Sequence, residues 1–196
     1  MAILLFNKWD LSEVRVNDPG LRGYINLRPI VVPSTSGKNY AMHRVKIHIV
    51  ERFINRLMVP GHRGKKHKIT SGNCPPSKQA IYLETKRALA KIEEKTKKNP
   101  VEVLIRAIEN SAMIEEVASY RLGGIIARQA VVTSPQRRLD LALRYMTQGI
   151  FKANFRSKRS LSDTIASEVI AAYNNDSKAF AIQERNRIER EAEGAR

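Results

Sequence analysis

The strongest constraint on the fold is one strand pattern inside a chain whose other patterns are helical. Residues 119–138 read SYRLGGIIARQAVVTSPQRR, in which two short runs, 119–122 and 125–133, flank Gly123-Gly124. A two-residue Gly-Gly connection between such runs is typical of a β-hairpin because the tight turn needs positive φ. We therefore predict a single hairpin over residues 114–133, inserted between helices.

Apolar residues recur at helical spacing on both sides of this hairpin. Residues 42–58 are predicted to form the first helix, and the segment SKQAIYLETKRALAKIEEKTKKN forms the second. Gly149 is expected to end the helix that begins at Pro135. Four further helix starts are indicated by residues that commonly cap helices: Asn99, Ser134, Ser160 and Ser177.

These patterns divide the chain into three parts. Residues 1–41 lack helical periodicity and contain several prolines, so we expect an extended N-terminal arm. Residues 42–175 form the helical domain that includes the hairpin, and residues 176–196 form a C-terminal helix of mixed charge. The predicted fold class is mainly α: a bundle of about six helices, one inserted and protruding β-hairpin, and the arm.

The charge of the chain restricts its partners. It has 35 Lys and Arg against 19 Asp and Glu, a formal charge of +16, and residues 176–196 contribute none of this excess. A folded protein with such a charge is expected to bind a polyanion, either nucleic acid or an acidic membrane surface. No apolar run approaches the ~20 residues of a membrane span. The single cysteine, Cys74, fits a reducing compartment, so we expect a cytoplasmic protein.

Two basic segments are candidate phosphate contacts. Residues 61–68 lie in a stretch without an acid between Arg52 and Glu84, so nothing nearby in sequence neutralises their charge. They either contact phosphates, which we favour, or form a solvated basic loop. The second segment, KANFRSKRS, carries two phenylalanines, Phe151 and Phe155, which either stack on unpaired bases or, as we expect, plug the core. The candidate cations of the two segments are Arg63, Lys65, Lys66, Lys68, Lys152, Arg156, Lys158 and Arg159.

The hairpin also carries cations. Arg121 and Arg128 lie on the ribbon, and an isolated two-stranded ribbon is marginal in water, so it needs a supporting surface or a partner. Arginines that project from a ribbon suit a nucleic-acid groove, although they could also be solvated spacers on a ribbon packed against the body.

The sequence does not indicate an active site. His62, His67 and Cys74 do not have the paired ligand spacing of a zinc site, and no phosphate-binding loop motif occurs. We therefore expect no catalysis, no metal and no cofactor. Two alternatives stay open beside a structural RNA-binding protein: an architectural protein that compacts duplex DNA, and an RNA-cleaving enzyme that uses His62 or His67.

Several motifs, in order, resemble the family of the seventh small-subunit ribosomal protein. They are NPVEVLIRAIENS before the hairpin, RQAVVTSPQRRLDLALRYMTQG after it, ERFINRLM followed by Gly64-Lys65-Lys66, and AIQERNRIER near the end. The start, LFNKWDLSEVRVNDPGLRGYI, is similar to the extension of the archaeal and eukaryotic branch. The inserted HKITSGNCPPSKQ departs from the bacterial pattern, so Lys68 and Lys78 match the family's basic loop less directly than Lys65 and Lys66.

The resemblance implies a function. It implies a helical protein that binds the 3′ major domain of small-subunit ribosomal RNA, begins assembly of the subunit head and lies beside the eleventh small-subunit protein. It also implies that the hairpin tip at Gly123 and Gly124 reaches toward exit-site tRNA and mRNA, in transient contact with both. By resemblance, the ribosomal-RNA surface includes Lys65, Lys66, Arg137, Arg138 and Arg144, with Arg121 and Arg128 on the hairpin.

Overall fold

A computed structural model describes residues 3–34, 44–61 and 71–196. A two-stranded antiparallel hairpin lies between the fourth and fifth of its α-helices, and a short 3₁₀ turn, Arg44–Lys46, precedes the second. This confirms the prediction of a mainly α fold with one inserted hairpin. The elements of the described chain are α1 Pro19–Arg22, α2 Ile49–Leu57, α3 Lys78–Thr96, α4 Pro100–Ser111, β1 Glu115–Leu122, β2 Ile125–Val132, α5 Pro135–Asn154, α6 Leu161–Tyr173 and α7 Phe180–Glu193.

Helix α6 lies at the centre of the bundle, where it packs against α3, α4 and α5. Most of its residues are apolar or small, and Ile165 and Val169 are almost completely buried. Helix α4 is buried along most of its length, including Leu104 and Ile108. Burying one such side chain contributes about 1.5–3 kcal/mol, so this interior provides a rigid support for the surface features described below. No helix of the described chain is both long enough and apolar enough to cross a membrane.

Two of the predicted helix starts are confirmed by side-chain caps. The Asn99 side chain accepts a hydrogen bond from the Val101 N–H at 3.0 Å, and Pro100 occupies the first turn of α4. The Ser160 hydroxyl accepts from the Asp163 N–H at 3.2 Å at the start of α6. Each cap satisfies a backbone donor that the first helical turn leaves without a partner.

Other helix boundaries differ from the prediction. Helix α2 begins at Ile49 rather than Met42, because the His48 backbone is extended and its Nδ1 accepts from the Val50 N–H. The last helix is preceded by Ala179 rather than capped by Ser177. Ser134 does occupy the N-cap position of α5, but its side chain makes no capping hydrogen bond.

The prediction that Gly149 ends α5 is wrong, because the helix continues to Asn154. A Cβ atom at position 149 would lie 2.7 Å from the Phe180 Cβ and 2.7 Å from the Glu168 Oε1. Glycine at this position therefore allows α6 and the start of α7 to approach the α5 backbone closely. The residue serves a three-helix contact rather than a helix end.

The Glu168 carboxylate lies within this contact. Its Oε1 accepts a hydrogen bond from the Phe180 N–H at 2.8 Å, at the first residue of α7. Burial raises the pKa of the Glu168 carboxyl to about 7, although the N–H groups of Phe180 and Ala181 act in the opposite direction. The native state thus holds a carboxyl that resists ionisation near neutral pH.

We expect Glu168→Gln to stabilise the protein at pH 8 and to have little effect at pH 4.5. The pKa of Glu168 in the folded state lies above the ordinary glutamate value of 4.5, so the native state binds the extra proton and loses stability as pH rises from 4.5 through 7. The difference between the pKa values of Glu168 in the folded and unfolded states corresponds to about 3 kcal/mol of unfolding free energy. Glutamine stays neutral and keeps an oxygen for the Phe180 N–H, so the cost of ionising a buried carboxyl disappears. Urea unfolding of the parent and the variant between pH 4.5 and pH 8 measures the difference in stability.

His48 titrates in the opposite sense and must be separated from Glu168. Burial lowers the pKa of the His48 imidazole to about 4, so this group removes stability as pH falls from 6.5 toward 4. Both proteins in the comparison contain His48, so the difference between their curves isolates Glu168. A difference that is constant across the pH range would mean that the pKa of Glu168 is the same in the native and unfolded states, so that burial does not raise it.

The described part of the predicted arm, residues 3–34, lies against the helical body. Leu5, Trp9 and Leu21 are buried, and the Trp9 indole N–H donates to the Glu93 Oε2 of α3 at 2.9 Å. The segment is mostly irregular, as predicted, with only the single turn of α1. Its apolar residues add to the core of the bundle, so this part of the chain is anchored by burial rather than by regular structure.

The hairpin has a regular register from its base to its tip. Glu115 pairs with Val132 at the base and Leu122 with Ile125 at the tip, so the connection is the two-residue turn that the sequence predicts. Gly123 has φ of 58°, the left-handed region that this turn needs. At the base, β1 packs against α7, and the Arg196 guanidinium contacts the Glu115 carboxylate at 2.6 Å. The helical body thus supports one end of the ribbon and leaves the tip exposed.

Candidate nucleic-acid interface

Among the acid-free stretches of the described chain, the one with the most described cations covers α5 after Asp140 and the turn into α6. No acidic residue occurs between Asp140 and Asp163. Five exposed cations lie in this interval, and none of them forms an ion pair with a described residue. We call this set the α5 basic segment, and its members are Arg144, Lys152, Arg156, Lys158 and Arg159.

The α5–α6 turn is held in one conformation by amide side chains. The Asn73 Nδ2 donates to the backbone carbonyls of Asn154 and Ser157 at 3.3 and 3.0 Å, and the Asn154 Nδ2 donates to the Asn73 carbonyl at 3.0 Å. Asn154 is only 1% exposed, so its side chain is shielded from water, whereas Asn73 lies at the surface. The cations of the turn therefore project from a fixed backbone.

A second cationic feature is a groove of about 290 Å³ between α2 and α5. Arg52, Arg56 and Arg144 line it together with Asp140. The Arg52 Nη2 donates to the Asp140 Oδ1 at 2.8 Å, so one of the arginines has a carboxylate partner in the groove wall. Arg52 and Arg56 are not among the RNA contacts predicted from the sequence. Their spacing of four residues, which places them on one face of a helix, was the available signal.

Three of the predicted RNA contacts are used within the protein. The Lys78 Nζ lies 3.0 Å from the Oε1 of the buried Glu51. The Arg138 guanidinium donates to the Asp18 Oδ2 at 2.7 Å and to the Met113 carbonyl at 3.0 Å, and it joins the N-terminal segment to the hairpin base.

Arg137 makes two bonds to the Glu116 carboxylate, at 2.6 and 2.7 Å, but more than half of its side chain is exposed. Exposed ion pairs contribute little stability, so Arg137 can exchange this partner for a phosphate more readily than Arg138 can leave Asp18. A role in RNA binding stays a prediction for Lys78, Arg137 and Arg138.

The predicted basic loop lies outside the described residues. Arg63, Lys65, Lys66 and Lys68 belong to residues 62–70, as do His62 and His67. Within the part of the chain that is described, no group of three His, Cys, Asp or Glu side chains could hold a metal ion. Cys74 is buried, and burial raises the pKa of its thiol to about 11.

The hairpin has two chemically different faces. Arg121 and Arg128 lie on the same face near the tip, because Arg121 pairs with Ile126 and Arg128 pairs with Ser119. Both arginines are exposed. The opposite face carries Tyr120, whose hydroxyl hydrogen-bonds to the Gln129 Oε1 at 3.0 Å. The ribbon thus presents its two guanidinium groups together, on one side.

The arrangement defines a class of protein. Cations project from a rigid helical body and from one face of a supported ribbon, and together with the excess of positive charge this describes a protein that binds structured nucleic acid.

Comparison with known proteins identifies the family. Residues 21–196 match the family model described as ribosomal protein S7p/S5e. The chain is 43% identical to the small ribosomal subunit protein uS7 of Nanoarchaeum equitans over the full length of both chains. It is also 43% identical to the protein of that name from Archaeoglobus fulgidus, over 99% of this chain and 95% of the relative. The chain belongs to the ribosomal protein S7p/S5e family, in its archaeal branch.

Membership in this family confirms the resemblance found in the sequence. The chain is a ribosomal protein of the small subunit, with a structural role in translation rather than an enzymatic one. RNA binding follows from the same membership. The positive charge and the α5 basic segment are consistent with that role.

Proposed function

We propose that this chain binds the 3′ major domain of small-subunit ribosomal RNA and begins assembly of the subunit head. The observation that carries the proposal is the α5 basic segment, with five exposed cations and no acid between Asp140 and Asp163. Ribosomal RNA helices are recognised mainly through phosphates and shape, because the deep major groove of an A-form helix excludes side chains. Cations on a rigid helical support suit that mode of recognition.

The second part of the proposal concerns the hairpin. Its base packs against α7 and contacts Arg196, which follows that helix, through Glu115, while its tip projects with Ile125 about three quarters exposed. We propose that the ribbon extends toward exit-site tRNA and mRNA and that the protein lies beside the eleventh small-subunit protein. The shared face of Arg121 and Arg128 would contact phosphates along this path.

The predicted basic loop completes the proposed surface. Arg63, Lys65, Lys66 and Lys68 match the family's basic loop or adjoin it, and we propose that they contact the same RNA as the α5 basic segment. Arg144 links the two regions in the proposal, because it lines the groove between α2 and α5 and α2 precedes the loop.

A binding competition tests the RNA assignment. We expect the full chain to bind a junction-containing fragment of the 3′ major domain at least about a hundredfold more tightly than duplex DNA of equal length at the same salt concentration. Filter binding with labelled RNA and unlabelled DNA measures the ratio. Equal affinities would instead support the alternative of a protein that compacts DNA.

The hairpin provides an internal control for the same assay. If the ribbon points away from the anchoring RNA, Arg121→Ala combined with Arg128→Ala should bind the isolated fragment within about twofold of the parent chain. A large loss would place these two arginines on the anchoring surface. Both side chains are exposed, so replacing them with alanine removes no packing from the core.

A further inference from the structure

The two phenylalanines of the α5 basic segment have different environments. Phe151 is 6% exposed and belongs to the core, as the sequence predicts. Phe155 is 50% exposed, so the expectation that both rings are core residues is wrong for this one. The two ring centroids are 6.0 Å apart with an interplanar angle of 30°, so the buried ring supports the exposed ring in a stacked arrangement. Half of a Phe side chain is thus left in water at a fixed position.

The surroundings of Phe155 are cationic. The Arg156 guanidinium carbon lies 5.4 Å from the centroid of the Phe155 ring. Lys158 and Arg159 follow the ring within four residues, and the next acid in the sequence is Asp163. Lys152 precedes the ring by three residues, and its Nζ lies 5.4 Å from the centroid of the Phe180 ring. An apolar ring bordered by cations is the combination with which proteins bind unpaired nucleotides, since the ring contacts the base and the cations contact the phosphates.

The backbone keeps this arrangement in place. Arg156 has φ of 54°, a left-handed conformation that is uncommon for a residue other than glycine. It follows immediately after the cap of α5, where the Phe155 N–H donates to the Phe151 carbonyl and the Ser157 N–H donates to the Asn154 carbonyl. Because these bonds and the Asn73–Asn154 pair fix the turn, the backbone that carries the ring and the guanidinium is positioned before any ligand binds.

We propose that Phe155 is a stacking platform for an unpaired base of the bound RNA, a proposal that rests on the proposed RNA-binding function. The base takes the place of the exposed Arg156 guanidinium on the ring, and this guanidinium moves to a phosphate or to the outer face of the base. Phe151 supports the platform from the core side. The contact is tolerant of base identity, because every base has an aromatic face.

The platform adds what the cations cannot provide. Phosphate contacts carry no information about pairing, whereas an aromatic ring accepts only a base that has left its helix. The α5 basic segment therefore selects a single-stranded or bulged nucleotide within a structured RNA. This selection distinguishes a junction from a continuous duplex.

The test compares Phe155→Leu with Phe155→Tyr on a transcript of the 3′ major domain of archaeal small-subunit ribosomal RNA. Leucine keeps apolar packing against Phe151 but cannot stack, and we expect about tenfold weaker binding at every salt concentration. The slope of affinity against salt should not change, because no charge is removed. Tyrosine keeps the ring and should bind within about twofold of the parent chain. Leu83→Ala, which shortens an exposed apolar side chain of α3, is the matched control.

A second measurement does not depend on the stability of the leucine variant. Phe155→Trp places a fluorophore on the platform, and stacking of a base should quench it when the transcript is added. The chain contains one other tryptophan, Trp9, which is 4% exposed and gives the background in the parent chain. Phe155→Leu binding within twofold of the parent, or an unquenched tryptophan in a complex that has formed, would overturn the proposal.

The same experiment separates this proposal from the function on which it rests. If the parent chain fails to bind the transcript, the assignment to the 3′ major domain is wrong. The comparison is then repeated on full-length small-subunit ribosomal RNA, where the ratio of Phe155→Leu to parent still decides whether the ring stacks. If the parent binds the transcript and the leucine variant binds equally well, only the platform is refuted.

Discussion

Gly149→Ala will destabilise the protein by about 1–2 kcal/mol, although alanine is the better helix former. The added Cβ would lie 2.7 Å from the Phe180 Cβ, an atom next to the backbone that cannot move without shifting the start of α7. Overpacking of this kind costs about 1–3 kcal/mol. The gain in helix propensity returns at most about 1 kcal/mol. Gly149→Val, with two further carbons, should cost at least about 3 kcal/mol. Urea unfolding at fixed pH measures each difference.

Ala153 provides the matched control for this prediction. It lies one turn further along α5, is exposed and is close to the end of the helix, so Ala153→Gly should lower stability by at most about 1 kcal/mol through helix propensity alone. Both Gly149→Ala and Ala153→Gly would then destabilise the protein, although the two substitutions are opposite in kind. If Gly149→Ala were stabilising, the approach of α6 and α7 to the α5 backbone would be looser than the structure shows.

Gly149 also shows why part of the fold could not be predicted from sequence. Local signals were sufficient where a structure depends on neighbouring residues, as at the Asn99 cap and the Gly123-Gly124 turn. A glycine in a helical pattern has the same local signal whether it ends the helix or accommodates another one. What distinguishes the two cases here is Phe180, which is thirty-one residues away in sequence and in contact with α5.

The candidate RNA-binding surface likewise combines features that local sequence predicts with features that depend on residues far away in the chain. The density of cations after Asp140 is visible in the sequence, and the structure leaves those side chains exposed. Sequence could not separate Arg138 from Arg144, since the partner of Arg138 is Asp18, which lies 120 residues away. It could not separate Phe151 from Phe155 either, because their difference in exposure depends on where the helix ends relative to the bundle.

The ion pairs within the protein indicate which cations should determine the salt dependence of RNA binding. Arg138 has little exposed surface and holds the N-terminal segment through Asp18, so its replacement would mainly affect folding. Lys158 and Arg159 are exposed and have no carboxylate partner among the described residues. Counterion release depends on cations that approach phosphates, and paired cations contribute less because their charge is already neutralised. The unpaired cations of the α5 basic segment should therefore dominate.

Replacing Lys158 and Arg159 by alanine should reduce the salt dependence of RNA binding more than removing two exposed cations from the C-terminal part of the chain. Each lost phosphate contact lowers the slope of log affinity against log salt by about 0.7–0.9, so the double variant should lose about 1.4–1.8. Filter binding of the 3′ major domain transcript from 50 to 300 mM salt, a range of about sixfold, gives the slope.

Lys178→Ala with Arg190→Ala is the matched control, because it removes one lysine and one arginine, both exposed, from the electrically balanced C-terminal part of the chain. The net charge falls by the same amount in both variants. A general electrostatic attraction would therefore lower the two slopes equally, whereas direct phosphate contacts at the α5–α6 turn would change only the first. Equal slopes would mean that the RNA is held by the charge of the whole protein, and the α5 basic segment would lose its special role.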